Sequence, residues 1–357
     1  MKAWCLTVVA LTAALTSCGP KSAPKPVAKL IEPSPSPDAV WPWKDSQKAA
    51  LHKGITRWRN EKTADGTVLD LYQFDFKTNP KLRFEIYDQD EDDAKPFDNE
   101  ADYFPNGVGQ VVRHLNERQS GKVLVAWNGL FFAYDRGPKT PSRGFAKHIG
   151  PVVLRSKAYH NVGKYRWTFG VKSVDGKPSF RVRHEPPFKS LPGLFDFAST
   201  GAQCLILNGA PLRLTAIDEK PRPSTPAEVG SIALVDHMRT SRTSMAWSKD
   251  DRYFYLLVVD EPDSETASKL ALKRGESPTG GWTLADLQRF WIAFGAWGAV
   301  NSDGGSVTQL ASIDPEGGYE VLPPRIVSSE RRIHLDKDLK DAPEGGTLLT
   351  FYITESR

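Results

Sequence analysis

The chain is poor in cysteine and lacks the repeated long apolar runs of a polytopic membrane protein. Of its 357 residues only 3 are cysteines, and Cys5 and Cys18 lie near the N-terminus. Three cysteines cannot build a disulfide framework. Cys204 alone remains for the body of the chain, and we expect it to be a small buried hydrophobic side chain. A multi-span membrane protein would need several apolar runs of about 20 residues, and none follow the N-terminal segment.

Neither sign of charge dominates the sequence. The chain has 47 Lys and Arg against 43 Asp and Glu, a net charge of +4. A nucleic-acid-binding domain is usually more basic, so we predict no nucleic-acid partner. With 39% hydrophobic and 25% charged residues, the composition is that of a globular protein and is too apolar for a disordered chain.

The motifs of common metal, nucleotide and serine-nucleophile sites are also missing. The sequence has no HExxH, no Walker loop, no dinucleotide fingerprint after a strand, no paired CxxC and no Gly-x-Ser-x-Gly. Its seven histidines show no ligand spacing. The acidic run 88–93 begins like a calcium loop, but Asp93 stands where that loop needs Gly and Asn99 where it needs Glu. We therefore expect a solvated acidic loop, no metal and no cofactor.

The N-terminus is typical of an exported protein. Residues 3–15 form an apolar run after Lys2 that is too short to span a bilayer but suits a signal peptide. It ends in Leu15-Thr-Ser-Cys18-Gly19, which resembles a bacterial lipobox and predicts a signal peptide over 1–17. Cys18 would then carry acyl chains, each buried CH₂ contributing about 0.8 kcal/mol to membrane binding. Gly19 favours the outer membrane, on its periplasmic or surface side. A plain secretory signal with Cys18 incidental is the alternative.

Residues 18–43 predict a tether, and residues 44–357 a single domain. The tether segment includes Pro-Lys-Ser-Ala-Pro-Lys-Pro and Pro-Ser-Pro-Ser-Pro, and such proline-rich segments are stiff, extended spacers. Export and a tether together place the domain outside the cytoplasm, among envelope or extracellular polymers. No internal repeat and no domain boundary is visible beyond residue 64.

Strand patterns dominate the predicted domain. Alternating apolar residues predict strands at 68–76 and 82–87, joined as a hairpin through Thr78-Asn79-Pro80. A helix is predicted over 106–119, and a second over 283–294 with Thr283 as N-cap and Gly295 as stop. The other predicted strands lie at 122–127, 151–154, 165–171, 179–183, 204–207, 232–235, 252–260 and 296–303. The predicted class is mixed α/β (α+β), with strand-rich core sheets and helices packed on them.

Five motifs in order resemble those of the phosphodiester glycosidase family. They are Val-Ala-Trp-Asn128-Gly129-Leu-Phe131-Phe132, Arg242-Thr243-Ser-Met-Ala246, Gly281-Trp282-Thr283-Leu284, Phe294-Gly295 and Ala299-Val-Asn301-Ser-Asp303-Gly304-Gly305. The resemblance spans roughly residues 67–335 and includes Arg325-Ile-Val. In the last motif the family has a third glycine, where this chain has Ser306.

The resemblance implies an exported, lipid-anchored hydrolase that cleaves a sugar-phosphodiester or a related envelope glycoside. Phosphate is a weakly basic leaving group, so one carboxylate and a cation would suffice for such a substrate. Asp303 would attack the anomeric carbon or activate water, and Arg242 would clamp the phosphate in bidentate fashion. Asn128 and the amides of Gly304 and Gly305 would orient substrate oxygens. The implied substrate-binding residues also include Gly129, Phe132, Gln203, Thr243, Asn301 and Ser306.

Several alternatives stay open at this stage. A noncatalytic glycan-binding or envelope-binding lipoprotein would keep the fold with an altered loop after Asp303. An ordinary glycoside hydrolase would need two carboxylates, for which Asp303 and Asp260 are the first candidates. The aromatic residues Phe131, Phe132, Tyr134 and Trp282 suit either a sugar-stacking wall or the core. The oligomeric state is not predicted.

Overall fold

The fold is given by a computed structural model. It describes residues 46–99, 101–103, 106–118, 121–135, 144–163, 167–213, 238–274, 280–328 and 330–356. The predicted signal peptide, lipid-anchor cysteine, tether and strand 232–235 lie outside these residues. Within the described part of the chain, no helix has the length and apolar character needed to cross a membrane.

Strands far outnumber helices in the described chain. The first eleven strands are β1 Gln47–His52, β2 Ile55–Asn60, β3 Val68–Asp75, β4 Leu82–Asp88, β5 Ala101–Tyr103, β6 Val123–Asn128, β7 Phe132–Asp135, β8 Gly144–His148, β9 Val152–Leu154, β10 Lys157–Tyr159 and β11 Trp167–Val174. The others are β12 Lys177–His184, β13 Phe197–Thr200, β14 Gln203–Leu207, β15 Ala210–Pro211, β16 Arg242–Trp247, β17 Tyr253–Asp260, β18 Gly298–Asn301, β19 Leu310–Ile313, β20 Tyr319–Leu322, β21 Ile333–Leu335 and β22 Leu349–Glu355. The helices are α1 Val108–Arg118, α2 Leu191–Leu194, α3 Ser264–Arg274 and α4 Leu284–Phe294.

The strands form four antiparallel sheets. The eight-stranded sheet has the order β1-β2-β3-β17-β16-β18-β14-β15, and the six-stranded sheet has the order β21-β20-β19-β6-β22-β4. The five-stranded sheet is β10-β9-β13-β11-β12, and the three-stranded sheet is β5-β8-β7. The prediction of a strand-rich body is confirmed, but helices are few, so the domain is mainly β rather than evenly mixed.

Aromatic side chains from the three larger sheets share one core. Phe84 of the six-stranded sheet lies 5.4 Å from Phe254 of the eight-stranded sheet, measured between ring centroids. Phe169 of the five-stranded sheet is 5.8 Å from Phe84, edge to face, and Trp127 and Phe351 complete the contacts. Such pairs contribute about 0.5–1.5 kcal/mol beyond their buried area. This core fixes how the ends of β6 and β18, which carry Asn128 and Asp303, meet.

The predicted helix at 283–294 is confirmed as α4. Thr283 and Asp286 form a reciprocal capping box, and Gly295 ends the helix in the left-handed conformation with φ 76°. The apolar face of α4, including Leu287, Trp291 and Phe294, lies in one buried cluster with Tyr255 and Leu257 of β17. The predicted helix at 106–119 is likewise confirmed, as α1.

The predicted hairpin of β3 and β4 is wrong, although both strands exist. β3 pairs with β2 and β17, whereas β4 pairs with β22 of the six-stranded sheet. In the turn between them, the side chain of Asn79 donates to the carbonyl of Lys53 at 3.0 Å and to Glu355 Oε1 at 2.8 Å. These contacts keep β4 from folding back onto β3 as a hairpin. The chain therefore crosses from one sheet to the other at this turn.

Candidate functional site

The motif residues converge where three strands of the eight-stranded sheet start or end. Ser244 of β16 lies opposite Asn301 of β18, so the start of β16 and the end of β18 share one end of the sheet. Arg242 lies opposite Val259, which brings the last residue of β17, Asp260, to the same place. We call this end of the eight-stranded sheet the site end.

Asp303 is a half-buried carboxyl group just beyond β18. Burial raises the pKa of Asp303 to about 6, although the amide of Gly304, which donates to Oδ1 at 2.8 Å, acts in the opposite direction. No salt bridge to this carboxylate occurs within the described ranges. A carboxyl group with a raised pKa and partial exposure is typical of a group that exchanges protons or attacks a substrate.

The side chain of Asn128 contacts the main chain of Asp303, not its carboxylate. Its Nδ2 donates to the Asp303 carbonyl oxygen at 2.8 Å, while its Oδ1 accepts from Thr243 Oγ1 and from the amide of Gln309, both at 3.1 Å. Asn128 is only 2% exposed. These contacts hold the Asp303 turn against β16 and Gln309, so Asn128 has a positioning role, and its predicted contact with substrate oxygens stays a prediction.

Arg242 is buried and bonds to main-chain carbonyls. It is 3% exposed, its Nε donates to the carbonyl of Trp282 at 3.0 Å and its Nη2 to the carbonyl of Met238 at 2.8 Å. A buried guanidinium bonded to two main-chain carbonyls does not present the predicted bidentate face to a phosphate. The structure assigns Arg242 to joining the segment before β16, at Met238, to the segment before α4, at Trp282.

The amides of Gly304 and Gly305 have protein acceptors, contrary to the predicted substrate contacts. Gly304 donates to its neighbour's carboxylate, and Gly305 donates to the carbonyl of Ser241 at 2.7 Å. A Cβ on Gly304 would lie 2.8 Å from that same carbonyl oxygen, and Gly305 has φ 67°. The two glycines are therefore required for close approach and for a left-handed backbone conformation.

The remaining predicted binding residues divide into buried and accessible ones. Gln203 Oε1 accepts from Asn301 Nδ2 at 2.7 Å, tying β14 to β18, and Thr243 is fully buried beside Asn128. Gly129 has no room for a side chain, since a Cβ there would lie 2.5 Å from the Cβ of Leu349. Only Ser306 is exposed, and Phe132 is half-buried against the core.

The proposed aromatic wall is not assembled as a set. Trp282 is buried and packs on Phe290 of α4 with ring centroids 5.6 Å apart, so it belongs to the core. Phe131 is half-buried, and the side chain of Tyr134 lies outside the described part of the structure.

An arginine-lined cleft at the site end was missed by the sequence analysis. It has a volume of about 740 Å³ and is lined by Arg239, Arg325 and Arg331, together with the acidic residues Glu261 and Asp263. The amide of Ile326, next to Arg325, donates to the carbonyl of Ser306 at 3.3 Å, so the cleft adjoins the Asp303 loop. The sequence signal that could have indicated this cleft is the group of three arginines, Arg325, Arg331 and Arg332, within eight positions.

Arg331 lines this cleft, but its donor atoms without partners are buried. Its Nε and Nη1 have no hydrogen-bond partner among the described residues, while Nη2 pairs with Asp260. Burial, followed by the neighbouring charge of Arg332, lowers the pKa of Arg331 to about 10. Asp260 is 3% exposed and ion-paired, so it is not presented as the second carboxylate of an ordinary glycoside hydrolase.

Comparison with known proteins agrees with the motif order. The family model described as phosphodiester glycosidase matches residues 121–334, which include β6, β16, α4 and the Asp303 loop. The chain belongs to the phosphodiester glycosidase family. In this family member the position after Gly305 carries Ser306, which is exposed.

One solved structure shares the fold of this phosphodiester glycosidase domain. The zebrafish N-acetylglucosamine-1-phosphodiester α-N-acetylglucosaminidase catalytic domain, auto-inhibited by its pro-peptide, is 16% identical with a TM-score of 0.52, and 88% of each chain is covered. A hypothetical protein from Synechocystis is 10% identical with a TM-score of 0.45, covering 87% of this chain and 64% of its own. A comparison with curated proteins gave no match.

Proposed function

We propose that this chain hydrolyses the bond between an anomeric carbon and a phosphate oxygen in a sugar-1-phosphodiester. The observation that carries the proposal is a half-buried carboxyl group, Asp303, whose pKa is raised to about 6, near a cleft whose lining includes three arginines. Phosphate departs as a stabilised anion, so cationic donors replace the general acid that an alkoxide leaving group would need.

Each group has a distinct role in this proposal. The ionised carboxylate of Asp303 attacks the anomeric carbon or deprotonates the attacking water, and the bond from that carbon to the phosphate oxygen breaks. The electron pair leaves with the phosphate monoester. Arg331 and Arg325 hold the phosphate in the cleft, and Asn128 positions the Asp303 turn. The zebrafish relative, whose name specifies a phosphodiester substrate, supports the same substrate class.

Replacement of Arg331 by alanine tests the phosphate contact. We expect KM for a sugar-1-phosphodiester to rise by about 10- to 100-fold, because a charge-assisted hydrogen bond contributes about 1.5–3 kcal/mol. KM for an uncharged aryl glycoside of the same sugar should change little. Steady-state kinetics on both substrates provides the measurement.

The matched control is Arg289→Ala, which removes an exposed arginine that pairs with Asp286 on α4. It should leave both KM values unchanged. Equal KM values for wild type and a folded Arg331→Ala variant would show that the phosphate does not bind in this cleft. Saturable binding of the glycan without turnover by any variant or by wild type would favour the noncatalytic envelope-binding alternative.

We also propose that the domain acts while anchored to the outer membrane through Cys18. The lipobox-like sequence and the proline-rich tether support this location. Replacing Cys18 by serine in a Gram-negative host should move the full chain from the membrane fraction to the soluble periplasmic fraction. Wild-type protein that is already soluble would instead indicate a plain secretory signal.

A further inference from the structure

A buried cluster of two histidines and two aspartates lies apart from the site end. Asp88 ends β4, and Asp90 lies in the short 3-10 helix Gln89–Asp92 that follows. His148 ends β8, and His160 follows β10. The four side chains are at most 9% exposed. The prediction of a solvated acidic loop is therefore wrong at Asp88 and Asp90, which point into the protein.

The ligand-type atoms of the cluster face one another without forming hydrogen bonds. His148 Nε2 lies 3.1 Å from Asp88 Oδ2, and His160 Nε2 lies 3.1 Å from Asp90 Oδ2 and 4.0 Å from Asp88 Oδ2. Within the described chain, both Nε2 atoms and Asp88 Oδ2 are buried and lack a partner of hydrogen-bond geometry. Buried polar atoms without partners are costly, which points to a missing common partner.

The separations suit a metal ion. Ligand atoms at about 2.0–2.1 Å from a tetrahedral zinc ion lie about 3.3–3.4 Å from one another. The candidate ligand atoms of Asp88, His148 and His160 all lie within 4.8 Å of each other. Two nitrogen and two carboxylate ligands match the donor types that Zn²⁺ takes, whereas Ca²⁺ prefers oxygen ligands alone.

Charge balance also favours an ion over proton-linked ion pairs. The imidazole rings of His148 and His160 stack with centroids 4.3 Å apart and planes 17° from parallel. Two imidazolium rings at that distance would repel each other in a buried site. One divalent cation with two carboxylates and two neutral imidazoles is electrically neutral, which lowers the free-energy cost of burying the cluster.

We propose that Asp88, Asp90, His148 and His160 bind one divalent transition-metal ion, with Zn²⁺ as the preferred occupant. The closed, buried setting is that of a structural site. The ion would join β4, β8 and the end of β10, which belong to three different sheets. Phe132 pairs with His148 in the β7–β8 register, so the ion would also fix the hairpin that follows the Asn128 motif.

Asn99 is placed to support the ligands. Its Oδ1 accepts from the amide of His148 at 2.9 Å, and its own amide donates to Asp90 Oδ2 at 3.3 Å. Contacts of this kind orient metal ligands, and their loss commonly weakens metal binding by 10- to 100-fold. The same residue thus links one histidine ligand to one carboxylate ligand.

Metal content and thermal stability test the proposal on the full chain without a polyhistidine tag. After loading with Zn²⁺ and removal of the excess, elemental analysis should give one zinc per chain. A chelator should lower Tm by on the order of 5 °C or more, and Zn²⁺ but not Ca²⁺ should restore it. A wild-type chain that retains no zinc and shows no change in Tm would overturn the proposal.

Variants assign the ligands. His160→Ala and the more conservative Asp90→Asn should each lower zinc affinity by at least about tenfold. The control His114→Ala removes an exposed histidine 2.9 Å from Asp92 in the same acidic segment, and it should retain one zinc per chain. Zinc retained by both ligand variants and lost in the control would refute the assignment. The wild-type measurement stands independently of whether a variant folds.

Discussion

Replacing Asp303 by asparagine should reduce turnover of a sugar-1-phosphodiester by on the order of 10³-fold or more. The amide keeps the size of the side chain and its acceptor for the Gly304 amide, but it can neither attack the anomeric carbon nor accept a proton from water. Because the variant changes one atom in a half-buried position, the fold should survive. Rates under saturating substrate provide the measurement.

The pH dependence gives a second readout of the same residue. Wild-type turnover should rise with pH through about 6 and then level off, because the active form is the ionised carboxylate. Stability should respond in the opposite direction. The folded pKa exceeds the unfolded value, so the stabilising contribution is complete below about pH 4 and is lost as pH rises through 6. The free energy of unfolding of Asp303→Asn should therefore exceed that of wild type by about 1–3 kcal/mol at pH 8, and the two should be equal at pH 4.

Asp251→Asn is the matched control. Burial also raises the pKa of Asp251, but this residue precedes β17 and so lies at the opposite end of that strand from the site end. It should show wild-type turnover. An Asp303→Asn variant that retains most of the activity, or a rate that falls as pH rises through 6, would contradict the catalytic role given to the ionised carboxylate.

Loss of Arg59 should destabilise the domain by up to about 3–5 kcal/mol, because two buried carboxylates would each lose one arginine partner and keep only Arg332 at Asp70 and Arg57 at Glu320. Its Nε lies 2.6 Å from Asp70 Oδ1, and its Nη1 donates to Glu320 Oε2 at 2.9 Å. Burial alone would raise the pKa of Glu320, but Arg59 together with Arg57 and Arg332 lowers it to about 2. Chemical denaturation of Arg59→Ala at pH 8 measures the loss.

The destabilisation should shrink as the pH falls from about 4.5 toward 2, since protonation of Glu320, whose pKa is lowered to about 2 in the folded chain, removes the charge that Arg59 stabilises. Arg118→Ala serves as the comparison. Arg118 pairs with Glu91 and Asp92 but is 44% exposed, so its loss should cost no more than about 1 kcal/mol. A cost for Arg59→Ala as small as that for Arg118→Ala would mean that water reaches the Asp70 and Glu320 carboxylates.

Local patterns in the sequence predicted elements well and their partners less well. The capping residues and apolar spacing of α4 are contained in the thirteen consecutive positions from Thr283 to Gly295, so its bounds follow from propensity and periodicity. Which strands β3 and β4 pair with depends on the turn between them, where Asn79 contacts Lys53 and Glu355. Glu355 lies 276 positions away in the sequence. No local pattern encodes such a contact, and the hairpin prediction failed for that reason.

The candidate site shows the same division. Motif order predicted that Asn128, Arg242 and Asp303 meet, and they do so at the site end. It could not predict that Asn128 and Arg242 would bond to main-chain groups, because that depends on burial. The Asp88–His160 cluster escaped notice because its ligands come from three sheets, so their sequence spacing resembles no metal motif.

Hydrolysis in ¹⁸O-labelled water tests the central claim most directly. Wild-type enzyme acting on a sugar-1-phosphodiester should place the label on the anomeric hydroxyl of the released sugar, as read by mass spectrometry, whichever anomer forms. The released phosphate monoester should contain only ¹⁶O. Label in the phosphate would show cleavage of the phosphorus–oxygen bond and would contradict the assignment of Asp303 as the group acting at the anomeric carbon.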